Sequence, residues 1–201
     1  MRQYEEQYYI LKRVEFREIF LSLRATENTG ARNHTYEKLD YGDGPVLFEN
    51  GYKGEIPFHL TNAQMDSIYP VVSEDVASAV KGYPTEGFQL FPAVIIDDDD
   101  HWHEDFYFFN FYRDIDCVDF QKSTVMNCSP TKKNNTVLQY KLDASVLDAI
   151  PEENRLMIKL AGVTGGALLF HEKIVKALTK FNIEAFQFFK LSDYRKGMEF
   201  E

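Results

Sequence analysis

The feature that most constrains the fold is the aromatic run at residues 106–112, which reads FYFFNFY. Bulky, stiff side chains of this kind favour a buried β-strand. The residues that follow, RDIDCVDFQKS, place spaced acids beside apolar positions and suit a strand that leaves the core in a polar turn. With 17 Phe and 12 Tyr among 201 residues, the chain favours strands with thick aromatic packing. We therefore expect an α+β fold with a mostly antiparallel, aromatic-rich sheet and a few helices.

A weak internal repeat runs through the chain at a fixed offset, since Glu74 lies over Glu172 and 172 − 74 = 98. Between residues 72–91 and 170–189, six of the twenty aligned pairs are identical. Each copy predicts a helix followed by a short strand, FQLF in the first copy and FQFF in the second. At the same offset, the strand-like residues 8–11 lie over residues 106–109.

Two interpretations of this repeat remain open. A duplicated unit would divide a single domain of residues 1–201 into two repeats, about 1–98 and 99–201. Alternatively, helix–strand units share such a pattern wherever they occur. Either interpretation concerns architecture and assigns no chemistry.

The rest of the chain predicts strands separated by loops. Short apolar runs at residues 45–48, 137–142 and 156–160 indicate further strands. Residues 26–43 are polar and rich in Asn, Gly and Thr, which predicts a long loop.

Charge and composition exclude several classes of protein. The formal net charge of −10 and a pI near 5.0 argue against nucleic-acid binding, which requires clustered Lys and Arg. The acidity suits a basic protein partner, or serves solubility alone. The charged N-terminus lacks the apolar core of a signal peptide, and no window approaches a membrane span. With Cys117 and Cys128 predicted to be free thiols, we expect a cytoplasmic protein that contacts no membrane.

The most polar cluster is residues 97–105, DDDDHWHED, which predicts a partner-contacting loop between two strands. The lone Trp would anchor a partner if exposed, or fold back as a lid on the core. Two alternatives are a solvated hairpin tip and a metal site built on His101 and His103, which share a face if the segment is extended. Four consecutive acids lack the alternate spacing of a calcium loop. The predicted contact residues are Asp98, Asp99, Asp100, Trp102, Glu104 and Asp105.

No catalytic constellation is recognisable in the sequence. The chain contains no H-E-x-x-H, C-x-x-C or G-x-S-x-G motif, and residues 162–166 lack the Lys and spacing of a phosphate-binding loop. Cys117 lies in an apolar alternation and is predicted to be a packed thiol rather than a nucleophile. We therefore predict no catalytic residues, no bound metal and no cofactor.

Residues 71–191 resemble the eleventh family of bacterial immunity proteins, which accompany polymorphic toxins. The resemblance rests on VVSEDVASAV, GFQLFPAVI, FYFFNFYRDIDCVDFQKS and LLFHEKIVKALTKFNIEAFQFF. In that family a Tyr-rich strand leads into a turn of the form Leu-Asp-x-x-Lys-Ser, which residues 118–123 match with Val in place of Leu. A family Gly-x-x-Phe strand keeps its Gly at Gly87 but has Ala185 in the second copy, and Ile158-Lys159 replaces a family Phe-Arg pair.

The resemblance implies protection by binding, in which the protein sequesters a cognate toxin of the same cell. Such toxins act in interbacterial competition, for example through type VI secretion. The family brings no catalytic residues to this chain. Two alternatives remain open: a non-catalytic regulatory interaction module, and a metal-dependent hydrolase that uses His101, His103 and the neighbouring acids. The sequence leaves the oligomeric state undetermined.

Overall fold

The computed structural model describes residues 4–14, 21–127 and 134–200. Cys128, one of the two cysteines, lies outside these ranges. Within them the chain forms thirteen strands and four short α-helices. The elements are β1 Tyr8–Arg13, β2 Ser22–Ala25, α1 Glu27–Ala31, β3 Val46–Asn50, β4 Ala63–Asp66, β5 Tyr69–Ser73, α2 Glu74–Ser78, β6 Phe88–Ile96, β7 Trp102–Phe111, β8 Asp114–Ile115, β9 Thr124–Asn127, β10 Thr136–Gln139, α3 Ala144–Asp148, β11 Met157–Leu160, β12 Leu168–His171, α4 Glu172–Leu178 and β13 Phe186–Lys190.

The strands form three sheets. Six of them close into a barrel in the order β2-β3-β6-β7-β5-β4. Five others form an open sheet in the order β13-β1-β12-β11-β8, and β9 pairs with β10 alone. Most neighbours are antiparallel, but β2–β4, β3–β6 and β8–β11 are parallel. The predicted α+β class with a mostly antiparallel, aromatic-rich sheet is confirmed.

Most of the aromatic run lies in β7, a strand of the barrel that is largely buried there, as its composition predicts. Phe108 and Phe109 are fully buried in β7, which pairs with β5 on one side and with β6 on the other. The rings of Phe48 and Phe108 lie 5.4 Å apart in the interior. Aromatic pairs at this separation add to the free energy gained by burying their area.

The open sheet is buried on both faces, because its two faces belong to different cores. On β12, Leu168 and Phe170 join the core cluster that contains the barrel residues, whereas Leu169 joins a second core with Ile10 and Ile158. Successive residues of a strand point to opposite faces, so the strand connects the two cores.

The barrel and the open sheet share one strand arrangement. Without β3, the barrel order β6-β7-β5-β4-β2 matches β13-β1-β12-β11-β8 strand for strand, including the parallel end pair. The pairing of Ile10 with Leu169 repeats that of Phe108 with Val71, since 108 − 10 = 98 and 169 − 71 = 98. On the other side, Ile10 pairs with Phe189 as Phe108 pairs with Phe91. In the open sheet, the N-terminal strand β1 thus occupies the place that β7 occupies in the barrel.

One loop prediction is wrong in part, because residues 26–43 contain helix α1. The Thr26 hydroxyl accepts a hydrogen bond from the Thr29 N–H and caps the helix N-terminus. This cap allows a single helical turn in a segment whose composition favours a loop.

Candidate functional site

The acidic segment forms the tip of the hairpin between β6 and β7, and Asp97 organises this tip. Its carboxylate accepts hydrogen bonds from the N–H groups of Asp99 and His101, both at 2.9 Å. The ring nitrogens His101 Nδ1 and His103 Nε2 lie 3.2 and 2.9 Å from Asp97 Oδ2. Desolvation opposes ionisation of Asp97, but these hydrogen bonds outweigh it and hold the pKa of the carboxyl below its usual range.

Asp98 and Asp100 are held by the loop that follows β3. Asp98 accepts hydrogen bonds from Asn50 Nδ2 at 2.9 Å and from the Phe58 N–H at 2.8 Å. The Lys53 ammonium lies 3.0 Å from Asp100 Oδ1. Asn50 is buried at the end of β3, and Phe58 lies in the loop that follows it. The two hydrogen bonds to Asp98 therefore hold this loop against the hairpin.

The other four predicted contact residues, Asp99, Trp102, Glu104 and Asp105, are exposed. Trp102 is 59% exposed, so its ring does not fold back as a lid. The tip is shorter than predicted, because β7 begins at Trp102 rather than at Phe106 and pairs Trp102 with Ile96. The register shifts between Ala93 and Ile95, and Asp105 has a positive φ of 63°. A β-bulge of this kind absorbs one extra residue, and it explains how the ladder continues into the acidic segment.

Three side chains of the tip have the spacing of metal ligands. Ligand atoms of Asp97, Asp99 and His101 lie within 4.8 Å of one another. Both predicted histidines contact the Asp97 carboxylate, although His103 lies in β7 and His101 lies in the tip before it. The carboxylate of Asp97 already shapes the turn by accepting hydrogen bonds, so the geometry has a structural explanation that requires no ion.

A second polar site lies where the barrel meets the open sheet, and we call it the junction cleft. It encloses about 860 Å³, within the range of ligand-binding cavities. Its walls come from the loop after α1, the β4–β5 turn, β8, and the loop after β11. The lining includes His34, Tyr36, Asp66, Tyr69, Asp114, Asp116, Lys159 and the turn at residues 162–166.

Lys159 is the buried cation of the junction cleft, with 4% of its surface exposed. Its ammonium donates to the Thr35 carbonyl at 3.0 Å and lies 2.8 Å from Asp114 Oδ1. The same ammonium lies 4.9 Å from the ring centroid of Tyr36 and 5.7 Å from that of Tyr69, distances that suit cation–π contacts. Lys159 therefore ties β11 and β8 of the open sheet to the barrel.

A second pair closes the barrel side of the junction cleft. His34 Nε2 lies 2.8 Å from Asp66 Oδ2, and the His34 ring contacts Phe48 and Phe108 in the barrel core. Burial, with Tyr36, Asp114 and Asp66 nearby, raises the pKa of the Tyr69 hydroxyl. Tyr69 thus stays a neutral donor to the Thr35 carbonyl, at 3.3 Å.

The junction cleft was not predicted from the sequence, although Lys159 falls within the family resemblance. The available signal was a charged residue inside the otherwise apolar strand MIKL. Buried Lys residues require partners, but those partners come from three distant segments that no local pattern connects.

The Asp-x-x-Lys-Ser motif is a structural turn. The Asp119 carboxylate accepts hydrogen bonds from the N–H groups of Gln121 and Lys122 and lies 2.6 Å from the Lys122 ammonium. The Ser123 hydroxyl accepts a hydrogen bond from the Lys141 N–H at 2.9 Å. The motif therefore fixes the chain after β8.

Cys117 is a packed thiol, as predicted. It is fully buried in the second core. Burial, followed by the nearby Asp116 and Asp143, raises the pKa of the thiol to about 12. A thiol that stays protonated at neutral pH is a poor nucleophile.

Comparisons with known proteins agree with the sequence resemblance but differ in its extent. The chain matches the immunity protein family (Imm11) over residues 3–147. The match includes the N-terminal residues, which contributed little to the resemblance, and ends before the second helix–strand copy. No curated protein matches the chain. Within the described ranges, no helix is long and apolar enough to cross a bilayer. Because the match covers well over half of the 201 residues, the chain belongs to the immunity protein family Imm11.

Proposed function

We propose that this protein binds a cognate bacterial toxin and neutralises it by sequestration. The observation that carries the proposal is membership of an immunity protein family, which implies a non-catalytic role in toxin immunity. The partner is a toxin made by the same cell, and the acidic chain, with a formal charge of −10, favours a toxin with a basic surface. The proposal places the complex in the cytoplasm, where a buried thiol such as that of Cys117 remains reduced.

The exposed part of the hairpin supports one contact surface for this toxin. Trp102 is a large, exposed aromatic with Asp99, Glu104 and Asp105 beside it. Aromatic anchors surrounded by charge are typical of tight protein interfaces. Asp98 and Asp100 belong to the proposed surface by position, but their carboxylates also hold the neighbouring loop.

The test is co-expression with the gene adjacent to this one, as the candidate toxin gene, scored by host growth and by co-purification. Growth rescue together with a stable complex is the expected result. Rescue without a complex would contradict sequestration, and a toxin that this chain does not silence would contradict immunity altogether. The second outcome would favour a regulatory module that has no toxin.

The hairpin surface is tested in the same assay with Trp102→Ala combined with Glu104→Gln. Asp75→Asn, an exposed acid on α2, serves as the control. Loss of rescue by the hairpin variant alone is expected. Full rescue by that variant would exclude the hairpin as the contact surface.

A further inference from the structure

The junction cleft has an excess of negative charge that the protein does not neutralise. Its lining holds the carboxylates of Asp66, Asp114 and Asp116 against one ammonium, that of Lys159. Asp66 pairs with His34 and Asp114 with Lys159, which leaves the carboxylate of Asp116 without a cationic partner among the lining residues. The Lys159 ammonium is directed inward, toward the Thr35 carbonyl and the Phe111 carbonyl as well as Asp114, so its charge is used within the fold.

The groups at the mouth of the junction cleft are open to solvent. The Asp114 side chain is 46% exposed although it contacts Lys159. Asp116 is exposed and makes no ion pair with any residue in the described part of the chain. Tyr36 is 71% exposed, an unusual exposure for a large ring beside a polar cavity. Carboxylates next to an aromatic ring form the environment that binds a guanidinium or an ammonium group.

From this arrangement we infer that the junction cleft receives a basic side chain, Arg or Lys, of the toxin. Asp114 and Asp116 would accept its hydrogen bonds, and the Tyr36 ring would stack against its cation. The inference rests on the proposed function and names a contact surface distinct from the hairpin. The two surfaces lie toward opposite ends of β7, which begins at Trp102 in the hairpin and ends at Phe111 beside Lys159.

Isothermal titration of the purified full-length protein with the purified product of the adjacent gene, the proposed toxin, tests the inference. The variant Tyr36→Ala with Asp116→Asn removes the open groups. It also takes the Tyr36 ring away from Lys159, but the ion pair of Lys159 with Asp114 and its hydrogen bond to the Thr35 carbonyl remain. We expect its dissociation constant to rise about 10- to 100-fold, the effect of losing one anchor and one charge contact. Asp75→Asn, which removes the same charge elsewhere, should bind like the unmodified protein.

The outcomes separate this inference from the proposed function. If the unmodified protein binds the toxin and the Tyr36→Ala, Asp116→Asn variant binds equally well, the inference fails while the proposed function stands. If Trp102→Ala weakens binding while the Tyr36→Ala, Asp116→Asn variant does not, the contact belongs to the hairpin and not to the junction cleft. If the unmodified protein shows no binding, the proposed function fails, and this inference fails with it. A Tm equal to that of the unmodified protein shows that a variant's loss of binding does not come from loss of folding.

A second inference follows independently from the strand registers. The geometry points to a duplicated strand unit whose second copy is completed by the N-terminus of the same chain. One copy comprises β2 to β7, within residues 22–111, and the other comprises β8 to β13, within residues 114–190, together with β1. The shared strand order, the shared parallel end pair and the equivalent pairings support this division: β12 and β13 lie 98 residues after β5 and β6, whereas β1 lies 98 residues before β7.

A circular permutant tests the exchange of the strand. Residues 15–201 would be followed by a flexible linker of about ten Gly and Ser residues, which spans up to about 33 Å, and then by residues 1–14. In this order β1 follows β13, as β7 follows β6. We expect the far-UV circular dichroism spectrum and toxin neutralisation of the unmodified protein; an unfolded permutant would contradict the inference.

Native-state hydrogen exchange of the unmodified protein provides a test that does not depend on the permutant. The amides of β1 should open together with those of β12 and β13. Opening of β1 together with β2 and β3 of the barrel would overturn the division, because it would make β1 part of the first unit.

Discussion

The barrel and the open sheet use the same strand order and register, yet only one of them closes. Closure depends on β3, which pairs with β2 on one side and with β6 on the other. The pairing with β6 begins at Ala93, and β6 extends to Ile96. The equivalent strand β13 ends at Lys190, which corresponds to Pro92. The second sheet therefore ends before the position at which a closing strand would pair, and its described strands include no counterpart of β3.

The two units also differ in how their central strand is connected. In the barrel, β7 follows β6 through a tip of five residues, 97–101. In the open sheet, β1 reaches its place between β12 and β13 from the other end of the chain. Pairing that closes a long loop costs more entropy and forms later in folding. The open sheet should thus be the part of the molecule that opens first.

The largest expected effect comes from truncating the central strand of each unit at equivalent, fully buried positions. Phe108→Ala should cost about 3–5 kcal/mol and Ile10→Ala about 2–4 kcal/mol of unfolding free energy, because each leaves a cavity. Hydrogen exchange should show that Ile10→Ala accelerates opening of β12 and β13 but leaves β3 and β6 protected. Equal acceleration in both units would show that they unfold as one.

A smaller effect should distinguish the residues that directly precede the equivalent strands β6 and β13. Gly87 has a φ of 81°, and an added Cβ would lie 2.7 Å from the Cβ of Arg113. Gly87→Ala should therefore cost about 2–3 kcal/mol. Ala185, its equivalent, is fully buried, and Ala185→Gly should cost about 1 kcal/mol through chain entropy. Urea denaturation measures both, and equal costs would contradict the difference in backbone conformation.

The smallest effect concerns pH and the equivalent helix caps His171 and Ser73. His171 Nδ1 accepts a hydrogen bond from the Lys173 N–H, whereas Ser73 makes no side-chain cap. Burial lowers the pKa of His171 below its usual value of 6.5. Below pH 6.5 the unfolded chain then binds more protons than the native chain. The contribution of His171 to the free energy of unfolding is therefore fully present above pH 6.5 and is lost progressively as the pH falls below it.

The substitution His171→Ser isolates this effect by installing the residue of the first unit. Between pH 7.5 and pH 5.5 the unmodified protein should lose on the order of 2 °C more in Tm than the variant. Calorimetry at both pH values provides the measurement. An identical pH response in the two proteins would remove His171 as the cause.

Local patterns predicted the elements well, but they did not predict the long-range pairings. The aromatic run at residues 106–112 identified β7 because its side chains are too bulky for most other environments. The offset of 98 residues aligned β5, α2 and β6 with β12, α4 and β13. The position of β1 between β12 and β13 could not be predicted from the sequence, because pairing between distant strands depends on the whole fold.

The candidate sites show the same limit. The acidic hairpin was visible in the sequence because its residues are contiguous, although its strand begins earlier than predicted. The junction cleft was not visible, since Tyr36, Asp116 and Lys159 come together only when the two units dock. A charge within the apolar strand β11 was the one local indication of it.

The most direct test of neutralisation by binding is the hydrogen-exchange footprint of the purified protein with and without a saturating amount of the adjacent gene's product, the proposed toxin. We expect a stable complex with slowed exchange at residues 34–36, 66–69, 114–116 and 159–166 of the junction cleft, and at residues 99–105 of the hairpin. Protection at the hairpin alone would retain the immunity function and contradict the junction cleft. Unchanged exchange throughout the chain would contradict neutralisation by binding.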